Sequence, residues 1–262
     1  MSFQSEAFAL WNALADYPAA RTGDALAHFF RESLRLLDAD GVRWCLTVRL
    51  GTDELAEHDL CHGWRVREVL PANPTPELLA RIRDYLDGMD KQDPDRVGET
   101  TVSVLRTSGR FRVQTLYKDL VDFEQFRQTV HYRLYYEPYG IEDRMWVGAP
   151  VNVDVDSGFV FDRLERSGKG RFTIDDQARA TFLLQGINWF HRRLVLSRRI
   201  IAGRSPCTPA ERRALALLLT GKSEKEIADE LGLGLGTVHS RITTIYRKFG
   251  VQGRAELMAL WL

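Results

Sequence analysis

The chain has 262 residues, 44% of them hydrophobic, and its 36 basic side chains are balanced by 36 acidic ones. That composition fits a folded protein rather than a disordered one, and the length accommodates a large domain beside a small module. Zero net charge gives no global sign of a nucleic-acid partner, so any such signal has to lie in how the charge is distributed.

The first residues, MSFQSEAFALWNALAD, lack a basic start and include Glu6, unlike a secretion signal. Apolar spacing predicts helices over 5–17 (Phe8, Leu10, Trp11, Leu14) and 23–37 (Leu26, Phe29, Phe30, Leu34, Leu37). Residues 42–50 alternate like a half-buried strand, and 60–70 read as a second. Pro71, Pro74 and Pro76 break the chain before a helix over 76–88, and Asp87 to Pro94 reads as polar loop. Thr100–Thr107 and Arg110–Lys118 read as strands joined by a Ser108-Gly109 turn, and 122–137 as a helix rich in Phe and Tyr. Met145–Val155 and Gly158–Leu164 form a further pair around Asp156-Ser157-Gly158. A long helix is predicted over 175–201, with Asp175 and Asp176 at its start and Arg192, Arg193, Arg198 and Arg199 toward its end, as the macrodipole favours.

Hairpins outnumber crossovers, so residues 1–203 are expected to be an α+β domain, an antiparallel sheet with helices packed on it. The small residues of Ala202-Gly203-Arg204-Ser205-Pro206 place the boundary with a second domain, 204–262. Three scattered cysteines (Cys45, Cys61, Cys207) suit neither zinc nor a disulfide framework, and reduced thiols are expected. No run approaches the roughly 18 apolar residues that span a bilayer. A cytoplasmic protein without membrane contact, metal or cofactor is expected.

Residues 208–257 carry the densest signals. In Thr208-Pro209-Ala210-Glu211, Thr208 can accept from a free backbone N–H, Pro209 suits the first helical position and Glu211 reaches back. Ser223-Glu224-Lys225-Glu226 repeats this box. Helices are predicted over 209–219, 224–231, 235–249 and 254–261, with Gly221 and Gly232 where left-handed terminating residues are needed. Leu215, Leu218, Ile227, Leu231, Val238, Ile242, Ile245, Phe249 and Leu257 fall on inward faces as a small core. From Leu231 to Ala255 there is no acid, whereas Arg241, Arg247, Lys248 and Arg254 are basic. Residues 204–262 hold nine basic and six acidic side chains, a net of +3, which the preceding 203 residues balance at −3. Such a segment is suited to lie against phosphates, and double-stranded DNA is the expected partner.

Over 207–258 the sequence resembles the LuxR/FixJ-type helix-turn-helix family. The resemblance rests on Thr208-Pro209-x-Glu211, Gly221-x-Ser223, Lys225-Glu226-Ile227-Ala228-x-x-Leu231, Thr237-Val238, Ile245-x-x-Lys248-Phe249-Gly250-Val251 and Arg254-x-Glu256-Leu257. It implies an all-α four-helix domain whose third helix enters the major groove. It implies that His239, Ser240 and Thr243 face base edges. Lys225, Thr237, Arg241, Arg247 and Lys248 are expected near phosphates, the protein acting as a homodimer. Where the family usually caps the third helix with Ser or Thr, this chain has Gly234, then Leu235 and Gly236.

Residues 132–190 are similar to LuxR-type regulators with a PAS/GAF-like sensor, through Tyr135-Tyr136 to Gly140-Ile141-x-Asp143, Phe159-x-x-x-Arg163 and Arg171-Phe172-Thr173-x-x-Asp176. The acyl-homoserine-lactone group of these proteins has a Trp, Tyr and Asp-Pro signature. Here Asp93-Pro94 lies in a polar stretch without the preceding aromatics. Trp44, Trp64, Tyr117, Tyr132, Tyr136 and Trp146 are candidates to line a pocket for a small-molecule signal, with Arg49, Arg112 or His131 as its polar groups; an ordinary aromatic core is the competing reading. No phosphate loop, nucleophile elbow or HExxH is present, so no enzyme is expected. The function read from the sequence is a transcription regulator whose amino-terminal domain senses a signal and controls DNA binding by a homodimer. The alternatives are a ligand-independent regulator with a dimerisation or docking domain, and an enzyme domain tethered to DNA.

Overall fold

The computed structural model describes residues 2–18, 21–50, 58–198 and 208–259. The proposed linker at 202–206, Cys207, residues 199–201 of the long helix and residues 260–261 of the last helix lie outside them. Among the described residues no helix is long and apolar enough to cross a membrane.

Five antiparallel strands form one sheet in the order β2-β1-β5-β4-β3, with β1 at Gly41–Arg49, β2 at Trp64–Pro71, β3 at Arg112–Thr115, β4 at Ile141–Asn152 and β5 at Val155–Leu164. One face carries α1 (Phe3–Ala15), α2 (Thr22–Leu36), α7 (Ile174–Gln185) and α8 (Asn188–Ser197). The period-two alternation of strands decides this face. Val42, Trp44 and Leu46 of β1, Met145 and Val147 of β4, and Phe159 and Phe161 of β5 all enter one buried apolar cluster with Phe29 and Phe190 of the helices. Each such side chain contributes about 1.5–3 kcal/mol by leaving water. The opposite face is covered by α3 (Pro76–Asp90), α4 (Pro94–Arg106), α5 (Phe123–Phe126) and α6 (Val130–Tyr135), and two smaller clusters sit beneath them.

The expected α+β class and antiparallel sheet are present, with local differences: Arg110–Lys118, expected as a strand, pairs only over Arg112–Thr115 before a π-helical turn at Leu116–Leu120, and four others follow. Thr100–Thr107, expected as a strand, is helical in α4 up to Arg106, with Thr107 its C-cap. Asp93 accepts from the Asp95 N–H at 3.0 Å and Pro94 opens a first turn, and the chain kinks at Gly98, whose φ is positive. The helix beyond it forms although its β-branched residues favour a strand, because Thr100 and Leu105 are buried with Val97. Tertiary burial overrides a weak propensity. Asp93-Pro94 is thus a helix start. The turn expected at Asp156-Ser157-Gly158 lies three residues earlier, where Asn152 Oδ1 accepts from the Asp154 N–H at 2.9 Å; Asp156 and Ser157 are buried strand residues. The helix expected over 122–137 is split into α5, α6 and a 3₁₀ turn at Glu137–Tyr139. The long helix over 175–201 breaks at Gly186-Ile187. Trp11 lies flush against Gly186, where a Cβ would overlap its ring, and donates its Nε1–H to the Leu183 carbonyl at 3.1 Å.

The stretches around Arg163 and Asp176 tie sheet to helix. The Arg163 guanidinium pairs with Asp176 at 3.2 Å, donates to the carbonyls of Asp38 and Arg171 and lies over the Phe172 ring. Thr173 and Asp176 form a complete capping box.

The carboxy-terminal helices are α9 (Pro209–Leu218), α10 (Glu224–Leu231), α11 (Leu235–Phe249) and α12 (Arg254–Ala259). Both capping boxes are made, and Gly221 and Gly232 take the left-handed conformation. Ala214, Leu215, Leu218, Ile227, Val238, Ile242, Ile245 and Leu257 form an apolar cluster, with Leu231 and Phe249 packed against it.

Candidate ligand cavity and nucleic-acid interface

Between the sheet and α3, α4 and α6 lies a cavity of about 470 Å³, within the size range of small-molecule sites. Strand alternation supplies its floor. Arg43, Cys45 and Thr47 of β1 point away from the buried cluster, as do Asp156, Gly158, Val160 and Asp162 of β5 and Arg144, Trp146 and Gly148 of β4. The register sets these in rows. Cys45, Gly158 and Gly148 lie side by side in the middle, where small residues leave space. Gly148 has a further role: a Cβ there would overlap the guanidinium of Arg112, its partner across β3 and β4. Leu78, Ile82 and Tyr85 of α3 and Thr101, Val104 and Leu105 of α4 supply opposing walls.

Polar groups gather at two ends of this floor, six residues apart along β5, or about 20 Å. At one end Asp162 is shared by two arginines. Arg144 Nε donates to it at 2.6 Å, and Arg43 contacts its other oxygen. The Arg144 guanidinium also lies over the Tyr136 ring, 4.3 Å from its centroid. Burial and the neighbouring charge of Arg144 lower the Arg43 pKa to about 9, and burial pushes the Cys45 thiol up to about 11. At neutral pH Arg43 is therefore still charged and the thiol is not. At the other end Arg112 donates to Asp156 at 2.7 Å and to Ser108 Oγ at 2.9 Å. Two buried polar atoms of lining residues, Arg112 Nε and Tyr139 Oη, have no hydrogen-bond partner.

His131 also lines the cavity. Its Nδ1 is 2.8 Å from the Arg96 carbonyl and its Nε2 is 3.3 Å from Thr100 Oγ1, which accepts from the Tyr136 hydroxyl. Burial lowers its pKa to about 4, so it is neutral.

Of the six aromatic candidates, Tyr136 and Trp146 line the cavity and four do not. Trp44 faces the other layer, where its Nε1–H donates to Ser157 Oγ at 2.8 Å; that hydroxyl is also 2.8 Å from His191 Nδ1. Trp64 packs with Cys61, Met89, Val97 and Leu105. Tyr117 is stacked beneath Arg171, and Tyr132 stacks on Tyr136 away from the opening. Among the polar candidates Arg112 and His131 are in the wall, while Arg49 is exposed at the end of β1. Sequence reasoning passed over Arg43, Arg144, Asp156 and Asp162. Their one signal was an alternation of charge with bulky apolar residues in strands that a second helical layer covers.

On the carboxy-terminal module, Thr237, His239, Ser240, Thr243 and Arg247 are exposed, at spacings that put them on one side of α11. Val238, Ile242 and Ile245 fill the opposite side. Lys225 is exposed on α10 and Arg241 is half-buried. His239 Nδ1 lies 3.0 Å from Glu224 Oε2 of α10. Lys248 is placed differently from the rest of the expected phosphate set. Its Nζ donates to Glu211 Oε2 of α9 at 2.7 Å, and both side chains are almost buried. Glu211 meanwhile accepts from the Thr208 N–H at 2.6 Å, so one carboxylate both caps α9 and ties it to α11. Gly234 precedes α11 with no side-chain cap.

These features define an antiparallel α/β unit enclosing a cavity, followed by a helix-turn-helix. Residues 205–261 match the family of bacterial regulatory proteins, luxR family, and the carboxy-terminal helices are a luxR-family helix-turn-helix. The transcriptional regulatory protein MctR of Rhizobium johnstonii is 34% identical over 64 residues, 24% of this chain and 30% of MctR. The chain thus spans under a third of the length of that relative. Among solved structures, SdiA of Escherichia coli in complex with octanoyl-rac-glycerol is similar with a TM-score of 0.50 and 12% identity, covering 99% of this chain and 94% of that one. The fold is SdiA-like. The VqsR LBD domain from Pseudomonas aeruginosa gives a TM-score of 0.45 and 17% identity, covering 74% of this chain and 96% of that one.

Proposed function

We propose that this protein is a transcription regulator with two domains, 1–203 and 204–262, that binds double-stranded DNA as a homodimer. The single observation that carries the DNA reading is the outer face of α11: the helix itself has no acid and bears exposed His239, Ser240 and Thr243 in a stripe beside exposed Thr237 and Arg247 and half-buried Arg241, with Glu224 of α10 reaching His239. In this reading the stripe meets base edges, while Thr237, Arg241, Arg247 and Lys225 of α10 meet phosphates. Lys248 is left out of the phosphate set because Glu211 already holds it.

The amino-terminal domain, read as a PAS/GAF-like sensor, binds a small molecule in the cavity and shifts the spacing of the two reading helices, on which half-site affinity depends. The 470 Å³ space with unpartnered buried polar atoms supports this over a purely docking domain. SdiA, of similar fold, is known in complex with a small amphiphile. The regulator acts in the cytoplasm, and catalysis has no part in this reading.

The test begins with purified protein and fragmented genomic DNA, the retained fragments being sequenced. Binding to the recovered site is then titrated against salt. Affinity falls steeply with salt, and the logarithmic slope drops by about one in Arg241→Ala or Arg247→Ala. His239→Ala and Ser240→Ala change the preferred sequence instead. Salt-independent binding, or the same response in all four variants, refutes the assignment.

A further inference from the structure

Charge in the cavity is not balanced at its two ends. Where Arg112 meets Asp156, one guanidinium faces one carboxylate. Where Arg43 and Arg144 meet, both face the single carboxylate of Asp162. Among the described residues no other carboxylate contacts either guanidinium. Tyr136 and Tyr139 are phenols, and Cys45 is held as a thiol by burial. Asp40, the next carboxylate in the wall, shares Lys169 with the exposed Asp38, at 2.8 and 3.1 Å, and accepts from the Leu164 N–H; it contacts neither arginine. Asp143 of β4 turns to the other layer, where it accepts from the Phe172 N–H. Two guanidinium groups thus share one carboxylate, with Arg144 and Asp162 almost buried and Arg43 still 22% exposed, and an anion joining them lowers the cost of burying the second positive charge. The Tyr139 hydroxyl is buried without a partner and lines the same cavity.

We propose that the ligand of this cavity is a small organic monocarboxylate with an apolar body, its carboxylate seated on Arg43 and Arg144. This rests on reading the cavity as the signal site. Guanidinium groups suit the acid because their planar donors match a carboxylate and stay charged when buried. The body lies over the floor of Cys45, Gly158 and Gly148, against the apolar walls of α3 and α4. The Arg112 end is already neutral as a pair. Its free Nε–H calls for an uncharged acceptor, a carbonyl or hydroxyl, on the far end of the ligand.

Calorimetric titration of the full chain with octanoate, decanoate and phenylpropanoate, each beside its methyl ester, tests this without any substitution. At least one acid binds ten times or more tighter than its ester. In Arg43→Gln that preference falls to within about threefold, provided the variant's melting curve shows it folded. Asp162→Asn, which leaves two arginines and no carboxylate, binds the acid more tightly than the native chain does. If the esters bind as well as or better than the acids, the anionic class is overturned while the cavity reading stands. If no compound of either kind binds, both fall together.

Discussion

The ion pair between Glu211 and Lys248 separates two roles that a basic residue on a DNA-reading helix can have. Read as a phosphate contact, Lys248 contributes to affinity and nothing to stability. The structure instead has Nζ donating to Glu211 at 2.7 Å with 15% and 11% of the two side chains exposed. Removing one partner of a buried pair costs about 3–5 kcal/mol. Glu211 keeps its bond from the Thr208 N–H and some contact with water, which lowers the expected cost of Lys248→Ala to about 2–3 kcal/mol. A module of this size has only about 3–8 kcal/mol in total. Hydrogen exchange of peptides from α9 and α11 in the full chain reads the change directly, as roughly 30- to 150-fold faster exchange through local opening. Lys248→Met with Glu211→Gln recovers part of the loss, because no buried charge is stranded.

The same pair sets an acid dependence. Although burial opposes it, the bonds from Lys248 and Thr208 hold the Glu211 carboxyl below its usual range. A depressed carboxylate contributes stability that is complete above its unfolded value of 4.5 and is lost as pH falls through the folded value. Lys248→Ala therefore flattens the acid limb of stability in α9 and α11. Unchanged exchange in these helices, together with a salt slope reduced by one in DNA binding, would show that Lys248 meets phosphate and that the pairing does not hold in solution.

Further tests bear on other parts of the molecule. Burial lowers the pKa of His131 and His191 to about 4 from 6.5, so each stays neutral while its unfolded counterpart takes up a proton. Stability of the amino-terminal domain therefore falls as pH drops from about 6.5 toward 4, by up to about 3 kcal/mol per histidine; His191→Gln removes close to one proton from the uptake measured by denaturation against pH. Gly236→Ala has open space for its Cβ in the first turn of α11 and stabilises that helix by roughly 0.5–1 kcal/mol, seen as slower exchange. Gly234→Ser supplies the absent cap and adds a few tenths more. Gly148→Ala drives a methyl group into the Arg112 guanidinium, which Asp156 and Ser108 hold, at a cost of about 1–3 kcal/mol in a thermal melt.

How much of this was legible in the sequence depends on whether the determining contacts are near or far along the chain. In the carboxy-terminal module they are near. Thr208 and Glu211, or Ser223 and Glu226, satisfy one another three residues apart, Gly232 ends its helix by its own backbone, and the core repeats at helical spacing. The helix limits were therefore readable almost to the residue, whereas contacts between helices, such as that of Lys248 with a partner 37 positions away, were not. In the amino-terminal domain the decisive contacts are far. Thr100-Thr101-Val102 reads as strand until the burial of Val97 and Leu105 against Trp64 and Met89 is known. The cavity fails to show for a related reason. An alternating Arg43, Cys45, Thr47 reads as one solvated edge of a strand, because nothing local reveals that α3 and α4 return to roof it. Once roofed, the same residues change meaning. Charges that water would have screened are enclosed with a fixed set of partners, and whether those partners balance becomes a property of the fold. Asp162 facing two arginines across β1 and β4 is such a property, since it exists only through strand pairings 119 and 18 positions apart.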